Sequence, residues 1–174
     1  MRNRFLRIYL HDHLAMAWAG IDFSRRVLKQ NRDNELGRRL EIFIEEIEEE
    51  AAALEDAMAL VDVERSQFKT AGARLAEKAG LLKFNGQIIR YSPLSRVLEL
   101  EFLLAAVQVR KGLWSTLREA SKMYPELDQV ATERYRDRAD QQLGRIESLH
   151  QRAVRAMLKE GWDKEQRHDR PPAP

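Results

Sequence analysis

Residues 91–117 read YSPLSRVLELEFLLAAVQVRKGLWSTL, and the first three letters mark the start of a helix. Ser92 can cap a helix with its hydroxyl, and Pro93 at the first helical position has both the right φ and no N–H to waste. The spacing predicts a long helix from Pro93 to about Met123, closed by Tyr124-Pro125. Leu94, Val97, Leu98, Leu100, Phe102, Leu103, Leu104, Val107, Val109, Leu113, Trp114 and Leu117 go nearly all round it. That distribution predicts the most buried helix of a helical assembly.

Working outward from that helix, the rest of the chain keeps the same period. A first helix is expected from about Arg4 to Gln30, with Leu6, Leu10, Leu14, Ala17, Ile21 and Leu28 on one face. Asn31-Arg-Asp-Asn34 supplies a turn, and Asn34 or Asp33 can cap a second helix from about Glu35 to Asp62, built on Leu36, Leu40, Phe43, Ile47, Leu54, Ala57 and Val61. A last helix from about Glu126 to Lys159 carries Ala139, Leu143, Ile146, His150, Ala153 and Met157 on its inner stripe. Between Asp62 and Ser92 a longer connection holds a short helix, about Ser66 to Ala79, stopped by Gly80, and a turn at Phe84-Asn-Gly86. The segment from Gly161 to Pro174 is polar, ends Arg-Pro-Pro-Ala-Pro, and reads as a disordered tail after one domain over residues 1–160.

Composition narrows the function classes. The 174 residues include only eight Gly and five Pro, which favours helix throughout. With no cysteine there can be no disulfide, thiolate metal site or Cys nucleophile. Lys and Arg (30) and Asp and Glu (28) nearly cancel to +2, and the bases are scattered among acids rather than gathered in the stripe that nucleic acid demands. The N-terminus breaks its apolar residues with charges and lacks a signal-peptide core, and no stretch approaches the roughly 20 apolar residues of a membrane span. The expectation is a cytoplasmic bacterial or archaeal protein with neither nucleic acid nor membrane as partner.

The order of helices, the crossover, Leu10-His-Asp-His-Leu-Ala-Met-Ala17, Ile44-Glu-Glu-Ile-Glu-Glu-Glu50 and Glu147-Ser-Leu-His150 together resemble the ferritin-like superfamily, closest to its small bacterial members, including stress-related ones. The resemblance implies an all-α, antiparallel four-helix bundle whose long crossover contains a short fifth helix. In the di-iron and di-manganese members two helices each give one Glu and two give Glu-x-x-His, all pointing inward. Glu147 and His150 match that spacing. The second helix has no His, so Glu46 with Glu49 or Glu50 would have to substitute; the third offers Glu99 and Glu101; and the first carries Ala17 where an inward Glu belongs, with His13 one turn earlier. The ligand set is incomplete, which points to no metal and no catalysis. Were iron or manganese bound, the ligands would be Glu50, Glu101, Glu147 and His150.

Two readings of single residues carry consequences. Glu50 falls on the core side of the second helix, where a carboxylate needs a partner, with Arg38, Arg110, Lys111 or His150 as candidates. His11 and His13 flank Asp12, and because adjacent helical residues point about 100° apart, at most one of the pair is expected to face the core. Trp18 and Trp114 read as packing anchors, an exposed one marking an oligomer interface. The function expected from all this is a non-catalytic bundle acting through protein contacts as a homodimer; the alternatives are a divergent di-iron or di-manganese oxidase or storage protein, and a bundle holding an apolar small molecule.

Overall fold

The computed structural model describes residues 3–63 and 92–168, with the backbone alone for residues 162–168. The described residues form four long helices, α1 (Arg4–Asn31), α2 (Glu35–Leu60), α3 (Pro93–Ala120) and α4 (Thr132–His168), with a 3-10 turn at Pro125–Gln129 before α4. No strand occurs among them. The short helix expected over residues 66–79, its stop at residue 80 and the turn at residues 84–86 lie outside the described residues.

Local chemistry sets most of the boundaries. The Asn3 carboxamide accepts from the Phe5 and Leu6 amides at the start of α1, and Asn34 accepts from Gly37 N at 3.2 Å at the start of α2. Ser92 and Ser95 cap each other reciprocally, with Pro93 at the first helical position. The second helix stops before the expected Asp62 because Asp62 adopts a left-handed conformation (φ 54°). The Asp62 and Val63 amides then return to the carbonyls of Ala59 and Met58, and Val63 and Met58 bury together below the cap.

The other boundary corrections have equally local causes. The third helix ends at Ala120 rather than Met123, and the fourth starts at Thr132 rather than Glu126, because Pro125 opens a tight 3-10 turn that drives Leu127 into the core. The fourth helix also runs through Gly161 to His168, in place of the start of the expected disordered tail. No proline interrupts residues 161–170, and Glu160, Lys164, Glu165 and Gln166 are good helix formers. Residues 169–174 lie outside the described residues.

Cross-helix pairs give the topology. Arg118 meets Glu133, Lys111 meets Asp140 and Glu101 meets His150, so α3 and α4 are antiparallel. Tyr9 bonds to Thr116 and the Phe23 ring packs tilted against Phe102, which makes α1 and α3 antiparallel as well. Glu35 with Arg152 and Glu49 with Arg134 do the same for α2 and α4. It follows that α2 and α3 run in the same direction, and the ends of the connection between them lie at opposite ends of a helix roughly 40 Å long. Backbones approach closely between α1 and α2 and between α3 and α4, and less so between α1 and α3 or α2 and α4.

Leu10, Leu14, Ile21, Ile47, Leu54, Met58, Leu100, Leu103, Trp114 and Leu117 are the largest apolar side chains at the centre, all 2% exposed or less. Leu14 and Ala17 stand in the core where the sequence places them. Three helices share a further feature: Ser24, Thr116 and Ser148 each donate to the carbonyl of the glycine four residues earlier, Gly20, Gly112 and Gly144, at 2.8–3.0 Å.

Gly37 is required by close approach, since a Cβ there would lie 2.1 Å from the Asn31 carbonyl oxygen, on rigid backbone. A Cβ at Gly144 would meet nothing within 4 Å. Gly37→Ala should therefore destabilise by about 1–3 kcal/mol through overpacking, whereas Gly144→Ala should stabilise by about 0.5–1 kcal/mol through helix propensity. Urea denaturation of the two variants checks both signs.

Candidate functional site

Among the described residues, one buried carboxylate gathers charged and polar partners from two other helices. Glu50 sits on α2 between Ile47 and Leu54, the position at which a helix of this period must face inward, and it is 2% exposed. Its Oε2 accepts from Arg110 Nε and from Trp114 Nε1, both at 3.2 Å, and its Oε1 accepts from Gln142 Nε2 at 3.4 Å. Arg110 and Trp114 are four apart on α3 and so share a face, while Gln142 lies on the inner stripe of α4 between Ala139 and Ile146.

Gln142 orients the whole group. Its carbonyl oxygen accepts from Arg110 Nη2 at 2.6 Å, and its amide nitrogen donates to Glu46 Oε2 at 2.9 Å as well as to Glu50. A carboxamide is the side chain that can face a cation with one end and two carboxylates with the other. Glu46 in turn takes both its oxygens to Arg145 Nη2, at 2.8 and 2.6 Å. The guanidinium of Arg110 stands 5.3 Å over the Phe43 ring, and Trp114 stacks on Tyr135 at 4.4 Å, so the polar group is walled by aromatics.

Burial pushes the Glu50 carboxyl above its ordinary range, and Arg110 and Trp114 pull it only part of the way back. Burial likewise lowers Arg110 against the attraction of Glu50. In both partners desolvation outweighs pairing, as expected where water is excluded from two charges. At the rim the balance reverses: Arg138, then Arg134, hold the Glu49 carboxyl below its usual range.

The expected ligands divide between two levels of the bundle. Glu50 is paired by an arginine, Arg110, rather than by His150, while Arg38 is exposed and Lys111 pairs with Asp140 instead. Glu101 and His150 do meet, at 3.2 Å, but Glu101 is exposed and His150 half-buried at the edge of the α3–α4 seam rather than on the inner stripe. Glu101 precedes Arg110 by nine residues, about 13 Å of helix, so the pair stands well away from Glu50. Glu147 is exposed. Among the described residues no three His, Asp or Glu side chains gather into a metal-sized cluster.

Four further placements differ from expectation. Leu94, Leu98, Phe102 and Val109 of α3 are 40–52% exposed, because the inner face is already filled by Leu100, Leu103, Val107, Trp114 and Leu117. His11 and His13 are both buried. The two rings lie about 200° apart around α1, and both sides of that helix are covered, with the His13 ring tilted against Tyr9 at 4.2 Å. Trp18, expected as a packing anchor, is 36% exposed. Gln142, fully buried and the hinge of the network, is no candidate on sequence grounds, although its place three after Ala139 and four before Ile146 marks the inner stripe.

Beside the network, at the seam of α2, α3 and α4, Leu40, Phe43, Leu103 and Ile146 line a crevice of about 30 Å³ with Arg39 and Arg145 at its edge. That is room for a water molecule or two, an order of magnitude below the several hundred Å³ of ordinary ligand pockets. Comparison with protein-family models, with curated proteins and with solved structures finds no match for this chain.

Removing Glu50 alone leaves Arg110 Nε and Trp114 Nε1 without their acceptor and the buried Arg110 without its counter-charge. Glu50→Ala should cost about 3–5 kcal/mol, whereas Glu50→Leu combined with Arg110→Met should be near neutral or stabilising. Chemical denaturation of the single and double variants reads the difference, and an effect of Glu50→Ala within about 0.5 kcal/mol would place Glu50 in solvent. The histidines set a pH dependence of their own. Burial lowers both His11 and His13, with Arg7 adding to the effect at His11 and Asp12 opposing it at each. The unfolded chain then takes up protons near pH 6.5 that the folded chain refuses, so stability falls as pH drops below about 6.5, by no more than about 1.4 kcal/mol per pH unit for each histidine. Glu50, shifted upward, acts in the opposite sense, gaining stability as pH falls through its folded pKa toward 4.5. The urea midpoint should be lower at pH 5.5 than at pH 7.5 in the parent protein, and that drop should be lost in a His11→Gln, His13→Gln variant.

Proposed function

We propose that this protein is a non-catalytic bundle of the ferritin-like type that works through protein contacts, as a homodimer. The parallel run of α2 and α3, which calls for one long crossover between two antiparallel pairs, supports the ferritin-like reading, because that class is distinguished among four-helix bundles by a single such crossover. Against a catalytic role stands the saturation of Glu50, whose oxygens are already taken by three donors from the chain itself. A second reading, with iron or manganese held by Glu50, Glu101, Glu147 and His150, has to reconcile two levels of the bundle and one exposed carboxylate.

The observation that carries the contact role is the outer face of α3. Leu94, Leu98, Phe102 and Val109 succeed one another at four, four and seven residues, with the small Ala105 and Gly112 on the same line, and each of the four large side chains is at least 40% exposed. A helix that is apolar on its outer side as well as its inner one presents a stripe suited to another helix, and self-association about a two-fold axis is the commonest use of such a face.

Light scattering behind size-exclusion at tens of micromolar should give twice the chain mass, and Leu98→Glu with Val109→Glu should return it to the single-chain mass. A strictly monomeric parent protein removes the dimer. Metal content near two equivalents of iron or manganese per chain, in protein prepared without chelator, removes the non-catalytic reading instead.

A further inference from the structure

Two buried histidines sit on opposite sides of the first half of α1, and neither is placed to carry a charge. His11 is 6% exposed and His13 8%. The His13 ring rests against Tyr9, whose hydroxyl donates to Thr116 of α3 at 3.0 Å, so His13 lies on the side of α1 turned to α3. His11, about 200° round the helix, lies on the other side, and its Nδ1 is buried without a hydrogen-bond partner among the described residues. The charges that act on the rings belong to α1 itself: the exposed Asp12 on both and Arg7 on His11. On the helices packed against α1, Glu48 closes on Arg25, Glu50 on Arg110, Lys111 on Asp140, Arg118 on Glu133 and Glu119 on Lys122. None of these, nor Glu55, Asp56 or Asp62 at the end of α2, acts on either histidine. An imidazolium at either place would be a buried charge with no acid from a neighbouring helix to receive it.

The same helix is built to divide. Gly20 is buried, yet a Cβ there would meet nothing within 4 Å, so space does not require the glycine. Its carbonyl accepts from Ser24 Oγ at 2.8 Å, and a helical ladder shared with a side chain bends easily. Beyond that point α1 is fastened, Phe23 against Phe102, Arg25 to Glu48 and Asn31 to Arg96. Before it, the side-chain tie to α3 is Tyr9 with Thr116, and α1 packs more loosely on α3 than on α2.

We propose that residues 4–19 of α1 form an acid-released latch: protonation of His11 and His13 swings this half of the helix about Gly20 and uncovers Leu6, Leu10 and Leu14, while the other helices stay packed. The opened segment takes up protons near pH 6.5 that the closed one refuses, so opening grows as pH falls below about 6.5, by at most about tenfold per pH unit for each histidine. Glu50 does not share this loss, because acid favours its buried form. The latch is separate from the stripe on α3 and would work in a monomer or a dimer.

Native-state hydrogen exchange of the parent protein at pH 7.5 and 5.5, with and without sub-denaturing urea, reads the latch residue by residue once the chemical exchange rate at each pH is divided out. Amides of residues 8–17 should lose about tenfold or more of their protection between the two pH values, at a urea dependence well below that of the central amides of α2 and α4. The double variant His11→Gln, His13→Gln should remove that loss, and Gly20→Ala, whose methyl has room, should lower the opening at both pH values. Exchange of residues 8–17 with the same protection and urea dependence as the centres of α2 and α4 means unfolding of the whole chain and overturns the latch. So does an unchanged acid loss in the double variant. If that variant does not fold, NMR titration of the parent imidazoles decides: both should titrate well below about 6.5, and ordinary values overturn the proposal.

Discussion

A carboxylate in the middle of a helical core has few ways to exist, and Glu50 uses most of them at once. It is ion-paired, hydrogen-bonded to an indole and bonded to a carboxamide, and those partners sit on two other helices. Because the charge cannot be left without them, α2 can occupy one register relative to α3 and α4. A slide by one turn would carry Glu50 about 5 Å away from its donors. Apolar packing supplies most of the stability of such an assembly and tolerates small slips; the directional requirement of the buried charge does not. The order of the rim, from Glu35 and Arg152 at one end to Glu49 and Arg134 toward the other, is set by the register that Glu50 fixes.

Much of this is legible in the sequence because it is local. Ser92-Pro93, Asn34 and the three-and-four spacing of apolar residues declare helix starts and inner faces through interactions that span four residues or fewer. The inward position of Glu50 is legible for the same reason, since a charge inside an apolar series has nowhere else to point. Its partner stays open among four candidates, because the choice of Arg110 depends on how α3 rotates against α2, a relation between distant segments that no local pattern encodes. Gln142 gives no charge signal, although its stripe position and the need of the buried Trp114 indole for an acceptor are both clues.

The failures have the same origin. A helix apolar nearly all round, like α3, is compatible with full burial or with one buried and one outward apolar face, and periodicity cannot tell them apart. Leu98 and Val109 take the second course. His11 and His13 show the converse: the rule that neighbours on a helix diverge is sound, but it excludes joint burial only when a single side of the helix is covered. At His150 the Glu-x-x-His spacing with Glu147 is real, yet the pairing that forms is with Glu101 across the helices, and helix rotation puts it at an edge, where it links α3 to α4 and stands apart from the interior.

The glycines at 20, 112 and 144, each succeeded four residues later by a hydroxyl that bonds its carbonyl, give three of the four helices a common inner weakness. At each place a residue with the greatest backbone freedom coincides with a carbonyl whose helical amide must share it with a side chain. Such points loosen a ladder without interrupting it, and helices bend there most easily. Solvent deuterium entering the native protein would meet its earliest openings along α1, α3 and α4 near these three points, well inside elements that otherwise exchange from their ends. Ordinary helices are stiffest in their middle turns. A glycine beside a shared carbonyl is a place where a long rod can curve to follow its neighbours around a core that the buried charge keys.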